Sequence, residues 1–359
     1  MKSLNSEISL KIANPINPTN IVPLDFNSVP TLPDSHTWTP CTSADPSFTG
    51  DDHSVPVIDL FDPNAVSLIR QACERWGAFQ VTNHGVPYDH LKEVESQSRR
   101  FFALPAERKL RVVRSAESVT GYGLVPISKF FPKMMWSEGF SMTGSPEEYA
   151  RQLWPHEDCR QFCSVMEMYQ KEMKGLSEKL LELILRSLGV NYEDIKWANP
   201  KNGLSSYQAL LQLNSYPVCP DPTRAMGLAP HTDSSLLTVL YQSCMGLQVQ
   251  RKEDIGWVPV HTVDGALIVN LGDLMHIMSN GRFKSAMHRA VVNKTHHRVS
   301  VAYFCGPPKE EKISSLIQMI DDDRPRMYRG VTWKEYLEIR AAHFDKALEF
   351  IKNNNIDDA

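Results

Sequence analysis

Ala229-Pro230-His231-Thr232-Asp233-Ser234-Ser235-Leu236-Leu237-Thr238-Val239-Leu240 is the stretch on which the reading of this chain turns. It predicts a strand that begins near Ala229. Side chains two apart on a strand leave by the same face. His231 and Asp233 are therefore expected together, with Thr232 on the other face. One imidazole and one carboxylate make two-thirds of the facial triad that holds non-haem iron. The pattern alone is weak, since about one His-x-Asp is expected by chance in a chain of this composition. The sequence holds three, the others being His156-Glu157-Asp158 and His343-Phe344-Asp345. Only the first is followed by a candidate third ligand and a candidate anion-binding strand.

The third ligand is His288, in Ser285-Ala286-Met287-His288-Arg289, 55 residues beyond Asp233. That distance accommodates several strands. A lone strand histidine is usually structural, and His261, His276, His296 and His297 are read that way or as surface residues. His288 differs because Arg298-Val299-Ser300-Val301-Ala302-Tyr303-Phe304 begins ten residues later. Alternation puts Arg298, Ser300, Ala302 and Phe304 on one face of that strand. A guanidinium turned into a barrel requires an anion, because an unpaired buried charge costs several kcal/mol, on the order of 3–5. Arg grips a carboxylate with two prongs, and Ser adds a directional donor. A surface Arg in an internal ion pair is the plainer alternative. Gln212, Asn214 and Tyr216 share a face in the same manner, which suggests a wet or ligand-filled interior.

Composition sets the frame. The 359 residues carry a net charge of -4, with 42% hydrophobic and 22% charged side chains. This fits a globular enzyme and offers no basic surface for nucleic acid. No run of eighteen apolar residues is present, so no membrane span is expected. Met1 to Pro18 lacks the apolar core of a secretory signal. The seven cysteines are odd in number and scattered, as in a reduced compartment. Cys159 and Cys163 have no second Cys/His pair to complete a zinc clip.

Four segments are expected. Residues 1–53 form an irregular arm, partly ordered through Leu24, Phe26 and Trp38. Residues 54–205 form a helical and mixed domain. It has strands at Val55–Leu60 and Ala78–Asn83, helices at Asn64–Trp76, Asp89–Phe102 and Met166–Leu188, and a long loop or short strands over the aromatic stretch Ser115–Gly144. Residues 206–309 form a jelly roll of short strands: Leu210–Tyr216, Leu236–Tyr241, Leu247–Gln250, Trp257–Val260, Ala266–Asn270, Lys284–Val292 and Arg298–Phe304. Residues 310–359 return to helix behind a Thr332-Trp333-Lys334-Glu335 capping box. That helix is expected either to close the barrel mouth or to brace the surface.

Taken together, His231-x-Asp233, His288, Arg298-x-Ser300, Asn214-x-Tyr216 and Trp76-Gly77-Ala78-Phe79-Gln80-Val81-Thr82-Asn83-His84-Gly85 resemble the plant 2-oxoglutarate- and Fe(II)-dependent dioxygenases. The resemblance covers residues from about 54 to 350. It implies a mainly β fold: a double-stranded β-helix core, an N-terminal helical or mixed domain and a C-terminal helix. It also implies Fe(II) on His231, Asp233 and His288, with 2-oxoglutarate and O2 as cosubstrates and ascorbate as an activator. Arg298, Ser300, Tyr216 and Asn214 are the expected 2-oxoglutarate residues.

Phe130-Phe131-Pro132-Lys133-Met134-Met135-Trp136-Ser137-Glu138-Gly139-Phe140, Gly144-Ser145-Pro146, Arg151-Gln152-Leu153-Trp154-Pro155, Arg224-Ala225-Met226-Gly227-Leu228-Ala229-Pro230 and Val331-Thr332-Trp333-Lys334-Glu335-Tyr336-Leu337 are most similar to gibberellin 3-beta-hydroxylases. Residues 1–30 depart from the usual start of those enzymes. The resemblance implies hydroxylation of a gibberellin at the 3-beta position, with release of succinate and carbon dioxide. A 2-beta- or mixed 2,3-oxidase, and a dioxygenase acting on another diterpenoid or a flavonoid, are the nearest alternatives. A zinc hydrolase and a non-catalytic hormone-binding jelly roll are more distant ones. A compact diterpenoid acid calls for an aromatic wall and a cation. Tyr122, Trp136 and Phe304 are the expected wall, and Lys133 the cation. A cytoplasmic monomer is expected, with the nucleus as a second compartment.

Overall fold

The computed structural model describes residues 24–26, 28–39, 54–115, 118–124, 126–154, 159–191, 193, 195, 197–198, 207–250 and 256–353. Cys41, His156-Glu157-Asp158 and most of the expected arm lie outside the described residues.

The N-terminal part runs β1 (Val57–Asp59), α1 (Ala65–Arg75), β2 (Ala78–Thr82), α2 (Tyr88–Phe102), α3 (Ala106–Lys109), β3 (Gly121–Gly123), β4 (Glu138–Met142), α4 (Glu147–Leu153) and α5 (Cys159–Ser187). Then follow β5 (Gln208–Tyr216), β6 (Leu228–His231), β7 (Leu237–Gln242), β8 (Leu247–Gln250), β9 (Trp257–Pro259), β10 (Leu267–Leu271), α6 (Asp273–Met278), β11 (His288–Ala290) and β12 (Arg298–Gly306). A short ladder of β13 (Lys312–Ile313) with β14 (Val331–Thr332) leads into α7 (Trp333–His343). No helix of the described residues is long and apolar enough to cross a membrane.

Two sheets make the core. The larger has the order β1-β2-β10-β7-β12-β5-β4-β3, and the smaller β6-β11-β8-β9. The outer face of the larger sheet carries Leu211, Leu213, Leu237, Val239, Val301 and Tyr303 into the main apolar cluster. Helix α5 lies against that face, packing on β7 and β12 and on α1, α2 and α4. Its buried stripe of Met166, Tyr169, Met173, Leu176, Leu180 and Ile184 follows the 3.6-residue period. Gly189 lies just beyond the helix at φ +76°, where a side chain would be strained. The inner faces of the two sheets meet through Leu240, Ile268, Ala302, Leu247, Val249 and Val258.

The strand expected to begin near Ala229 stops short of Asp233, and the expected Leu236–Tyr241 strand lies in the other sheet. β6 ends at His231 and β7 begins at Leu237. Between them the backbone bonds leave the ladder. Asp273 N donates to Asp233 O (2.7 Å), Leu274 N to Ser235 O (3.2 Å) and Leu236 N to Cys305 O (3.0 Å). The chain thus turns a corner from one sheet to the other. Gly272 makes the corner fit, since a Cβ there would lie 2.1 Å from Ser235 O. The expected strand at Lys284–Val292 shrinks to β11. Lys284 N bonds Cys73 O and Ala286 N bonds Leu271 O, so that segment lies across the end of α1 and β10 rather than in a ladder. At α7, Thr332 Oγ1 accepts from Glu335 N (3.1 Å) as the capping signal predicts. The Glu335 carboxylate turns instead to Arg329, at 2.6 Å.

The described part of the arm docks through aromatic rings. Phe26 and His36 meet the Trp136 ring edge-on, at centroid distances of 4.8 and 5.6 Å. Trp38 Nε1 donates to Met134 O (2.8 Å). Burial pushes the His36 pKa down to about 4. In the unfolded chain a histidine titrates near 6.5, so between about pH 6.5 and 4 the undocked state binds a proton that the docked state refuses. Docking therefore weakens as pH falls through that window and is unaffected above it. Tryptophan emission should shift toward that of solvent-exposed indole between pH 7 and 5, and a His36→Phe variant should not show the shift. Equal pH responses in the two proteins would rule this out.

Candidate metal centre and cosubstrate site

His231 and His288 face each other across β6 and β11, as register partners. Their ring centroids are 4.2 Å apart. Each ring is oriented in the same way, with Nδ1 against the backbone carbonyl two residues earlier. The partners are Ala229 O for His231 (2.8 Å) and Ala286 O for His288 (2.9 Å). That contact makes Nδ1 the donor and leaves both Nε2 atoms as free electron pairs, the tautomer that a metal requires. Burial pushes His231 well below its ordinary pKa, with repulsion from His288 next, so its imidazole is neutral.

Asp233 lies beyond the end of β6, yet its carboxylate meets the two rings. Oδ1 is 3.7 Å from His231 Nε2 and 3.8 Å from His288 Nε2. Its Oδ2 accepts from Thr238 Oγ1 at 2.7 Å, which fixes the carboxylate plane. All three ligand atoms lie within 4.8 Å of one another. Two ligands about 2.1 Å from an ion and at right angles are about 3 Å apart, so small rotations bring the three around one ion. Two imidazoles and one carboxylate on one side, with the opposite side open, are the donor set of non-haem Fe(II). The residues fit the metal.

The corner is clamped from outside by α7 and α6. Arg340 donates to Thr232 O, to Thr232 Oγ1 (3.0 Å) and to Asp273 Oδ2 (2.5 Å). Tyr336 OH donates to the same Asp273 oxygen (2.7 Å), and Trp333 Nε1 to Ser234 Oγ (3.1 Å). Burial, then the Asp273 charge, raise the Tyr336 pKa, so its phenol remains a donor. A cavity of about 520 Å³ opens beside His231, lined by Trp76, Thr232, Met287, Arg340 and Phe344 among others. That volume is within the usual range for small-molecule sites.

Arg298 stands at the other end of the same inner wall and is 1% exposed. Along β12 the inner face runs Arg298, Ser300, Ala302, Phe304, opposite Tyr216, Asn214, Gln212 and Leu210 of β5. On the other side β7 places Thr238 opposite Phe304 and Gln242 opposite Ser300. The iron end and the arginine end are thus two ends of one ladder. Arg298 Nε donates to Cys244 O (3.2 Å) and one terminal nitrogen to Gln242 Oε1 (3.0 Å). The other terminal nitrogen is buried and has no partner among the described residues. The guanidinium lies 4.7 Å from the Tyr216 ring centroid. Gly246 makes room for it, since a Cβ there would be 2.6 Å from Arg298 Cδ. Asn214 Nδ2 reaches Ser300 Oγ at 3.4 Å. A buried, incompletely bonded guanidinium beside a hydroxyl is a fitting receptor for one carboxylate of 2-oxoglutarate.

The expected substrate residues separate. Phe304 is on the inner face beside Thr238, next to the metal ligands. Tyr122 is not. It pairs with Phe140 on the outer face, packs on Phe101 and donates to Glu138. Strand parity is the reason, because Gly121 and Gly123 take the inner positions of β3. Trp136 is fully buried beneath the arm beside Tyr216, with Nε1 on Pro217 O (3.1 Å). Lys133 Nζ is held by Asp34 O at 2.8 Å, on the arm. Thr238, Gln242, Gly246, Asp273 and the clamping role of Arg340 escaped the sequence reading. Arg340 alone left a trace, as a charge on an otherwise apolar helix face.

A jelly-roll interior with two histidines and an aspartate at one end and an arginine–serine pair at the other defines a 2-oxoglutarate- and iron-dependent oxygenase, and the chain belongs to the 2OG-Fe(II) oxygenase superfamily. The model of that superfamily matches residues 207–307, and one for the non-haem dioxygenase in morphine synthesis N-terminal region matches 55–157. Among relatives, gibberellin 3-beta-dioxygenase 3 of Arabidopsis thaliana is 51% identical, covering 94% of this chain and 97% of its own. Gibberellin 3-beta-dioxygenase 1 of Pisum sativum is 47% identical, covering 91% and 89%. Among solved structures, that of JOX2 in complex with 2OG, Fe and JA is 28% identical with a TM-score of 0.75, covering 91% of this chain and 95% of that one. The rice dioxygenase for auxin oxidation is 26% identical with a TM-score of 0.69, covering 84% and 100%.

Proposed function

We propose that this protein hydroxylates a gibberellin at the 3-beta position, in the cytoplasm, consuming 2-oxoglutarate and O2 and releasing succinate and carbon dioxide. The observation that carries this reading is 51% identity to a gibberellin 3-beta-dioxygenase over 94% of the chain. His231, Asp233 and His288 would hold Fe(II), which supplies oxygen activation coupled to decarboxylation of the 2-oxo acid. The chain's own contributions are positional. Arg298 and Ser300 would fix the far carboxylate of 2-oxoglutarate, which places its keto-acid end at the metal. Phe304, opposite Thr238, offers an apolar surface against which a diterpenoid skeleton rests. The arm and the aromatic loop over Trp136 and Phe131 would keep water from the mouth.

The test is incubation of the purified protein with Fe(II), ascorbate, 2-oxoglutarate and a panel of gibberellins, with products identified by mass spectrometry. The expected result is a 3-beta-hydroxylated product with stoichiometric succinate. Hydroxylation solely at the 2-beta position, or turnover confined to flavonoids, would refute it.

A further inference from the structure

We infer that Arg114 is the residue that binds the carboxylate of the organic-acid substrate. The inference rests on the proposed function and adds to it the partner of the acid group. Arg114 donates to Leu124 O (2.5 Å), Ser141 Oγ (2.7 Å) and Gly121 O (3.3 Å). Every one of these acceptors is uncharged. Its Nε is buried with no partner among the described residues. Burial pushes its pKa down to about 10, so the guanidinium stays charged at neutral pH, half-buried and with no acid partner among the described residues. A fixed cation of this kind is costly to the free protein and well suited to an anionic ligand.

Its position agrees with that role. Ser141 is the β4 register partner of Gln212, which pairs with Ala302 on the inner wall. Ala302 is one pleat from Phe304, whose β7 partner Thr238 bonds Asp233. Arg114 therefore sits over the same wall as the metal ligands, several strands to one side. Arg114 lies against Gly121 of β3, where a Cβ would meet its Cα and N at 2.8 Å, while at Gly123 a Cβ would meet nothing within 4 Å. The rival cations are already matched. Lys109 is paired with Glu138, Arg340 with Asp273, and Lys133 is held at Asp34 O.

The test compares a gibberellin acid with its methyl ester, which keeps the skeleton and removes the charge. The wild type is expected to favour the acid in kcat/KM by about 10–100-fold, the range for a hydrogen bond to a charged group. Arg114→Gln should erase that preference by raising the KM for the acid, with the KM for 2-oxoglutarate unchanged. Arg114→Lys should retain part of it. A glutamine variant with the wild-type acid-to-ester ratio would overturn the inference. So would a wild type that treats acid and ester alike, a result that requires no variant to fold. A wild type that converts no gibberellin in either form refutes the proposed function itself, and this inference with it.

Discussion

Asp233→Ala is expected to reduce turnover by about 1000-fold or more, and to abolish tight iron binding. That exceeds the roughly 10–100-fold usually lost when an outer hydrogen-bond partner of a metal ligand is removed. The reason is electrostatic as well as geometric. An imidazole that donates its lone pair to a metal is a neutral ligand, so Asp233 is the one anion in the triad. It is 5% exposed, and low local dielectric magnifies its attraction for a dication. Removing it leaves two neutral donors, His231 and His288, to hold Fe(II) against water. Thr238→Val is the control. It removes the 2.7 Å bond to Asp233 Oδ2 but leaves the charge, and should lie within the smaller range. Equilibrium dialysis with Fe(II), together with succinate release, measures both. An Asp233→Ala protein that keeps a tenth of wild-type turnover would remove the metal assignment.

The clamp outside the corner bears on how this site stays assembled. Asp233 lies off the end of β6, where no ladder bond restrains it. The restraint comes from Asp273 N on Asp233 O and from Arg340 on Thr232 O. Arg340 and Asp273 are both largely buried, and each is the other's charge partner. Breaking such a pair usually costs about 3–5 kcal/mol, because the survivor is left buried and unpaired. The C-terminal helix is therefore tied to the geometry of the iron ligands as well as to the barrel surface.

Why some of this was legible in the sequence follows from which features are periodic. His231 and Asp233 converge as alternation predicts, although the strand that should carry them stops at His231. The faces of β5 and β12 were read correctly because each is nine residues long, so parity is unambiguous. β3 has three residues, two of them Gly, and offers no apolar alternation from which to assign Tyr122 a face. The corner at 232–236 was invisible because its backbone bonds go to Cys305, Gly272, Asp273 and Leu274, contacts that no local pattern encodes. α6 was missed because six residues are too few to show a helical period. Arg114 follows Arg108, Lys109 and Arg111 and reads as one more surface charge. Only the fold of β3 and β4 shows that it is half-buried, with its Nε enclosed.

Arg298→Gln is expected to raise the KM for 2-oxoglutarate by roughly 100- to 1000-fold while leaving the KM for the gibberellin and the affinity for Fe(II) near wild type. Hydrogen bonds to a charged group contribute about 1.5–3 kcal/mol each, and the guanidinium can supply two. At about 1.4 kcal/mol per tenfold, two such bonds account for that range. Glutamine keeps a donor but loses the charge and the fork. Arg298→Lys should fall between the two. It restores the charge, yet an ammonium cannot hold Cys244 O and Gln242 Oε1 while also presenting a planar pair of donors. Gly246→Ala supplies an independent route to the same effect. Its methyl group would occupy the space of Arg298 Cδ and Nε, moving an unaltered guanidinium out of line. If all three variants bind 2-oxoglutarate as the wild type does, the buried nitrogen of Arg298 has some other purpose, and the cosubstrate must be held elsewhere. If Arg298→Gln and Gly246→Ala both raise the 2-oxoglutarate KM and spare that of the gibberellin, the two carboxylates in the reaction are held by separate cations at separate parts of one wall.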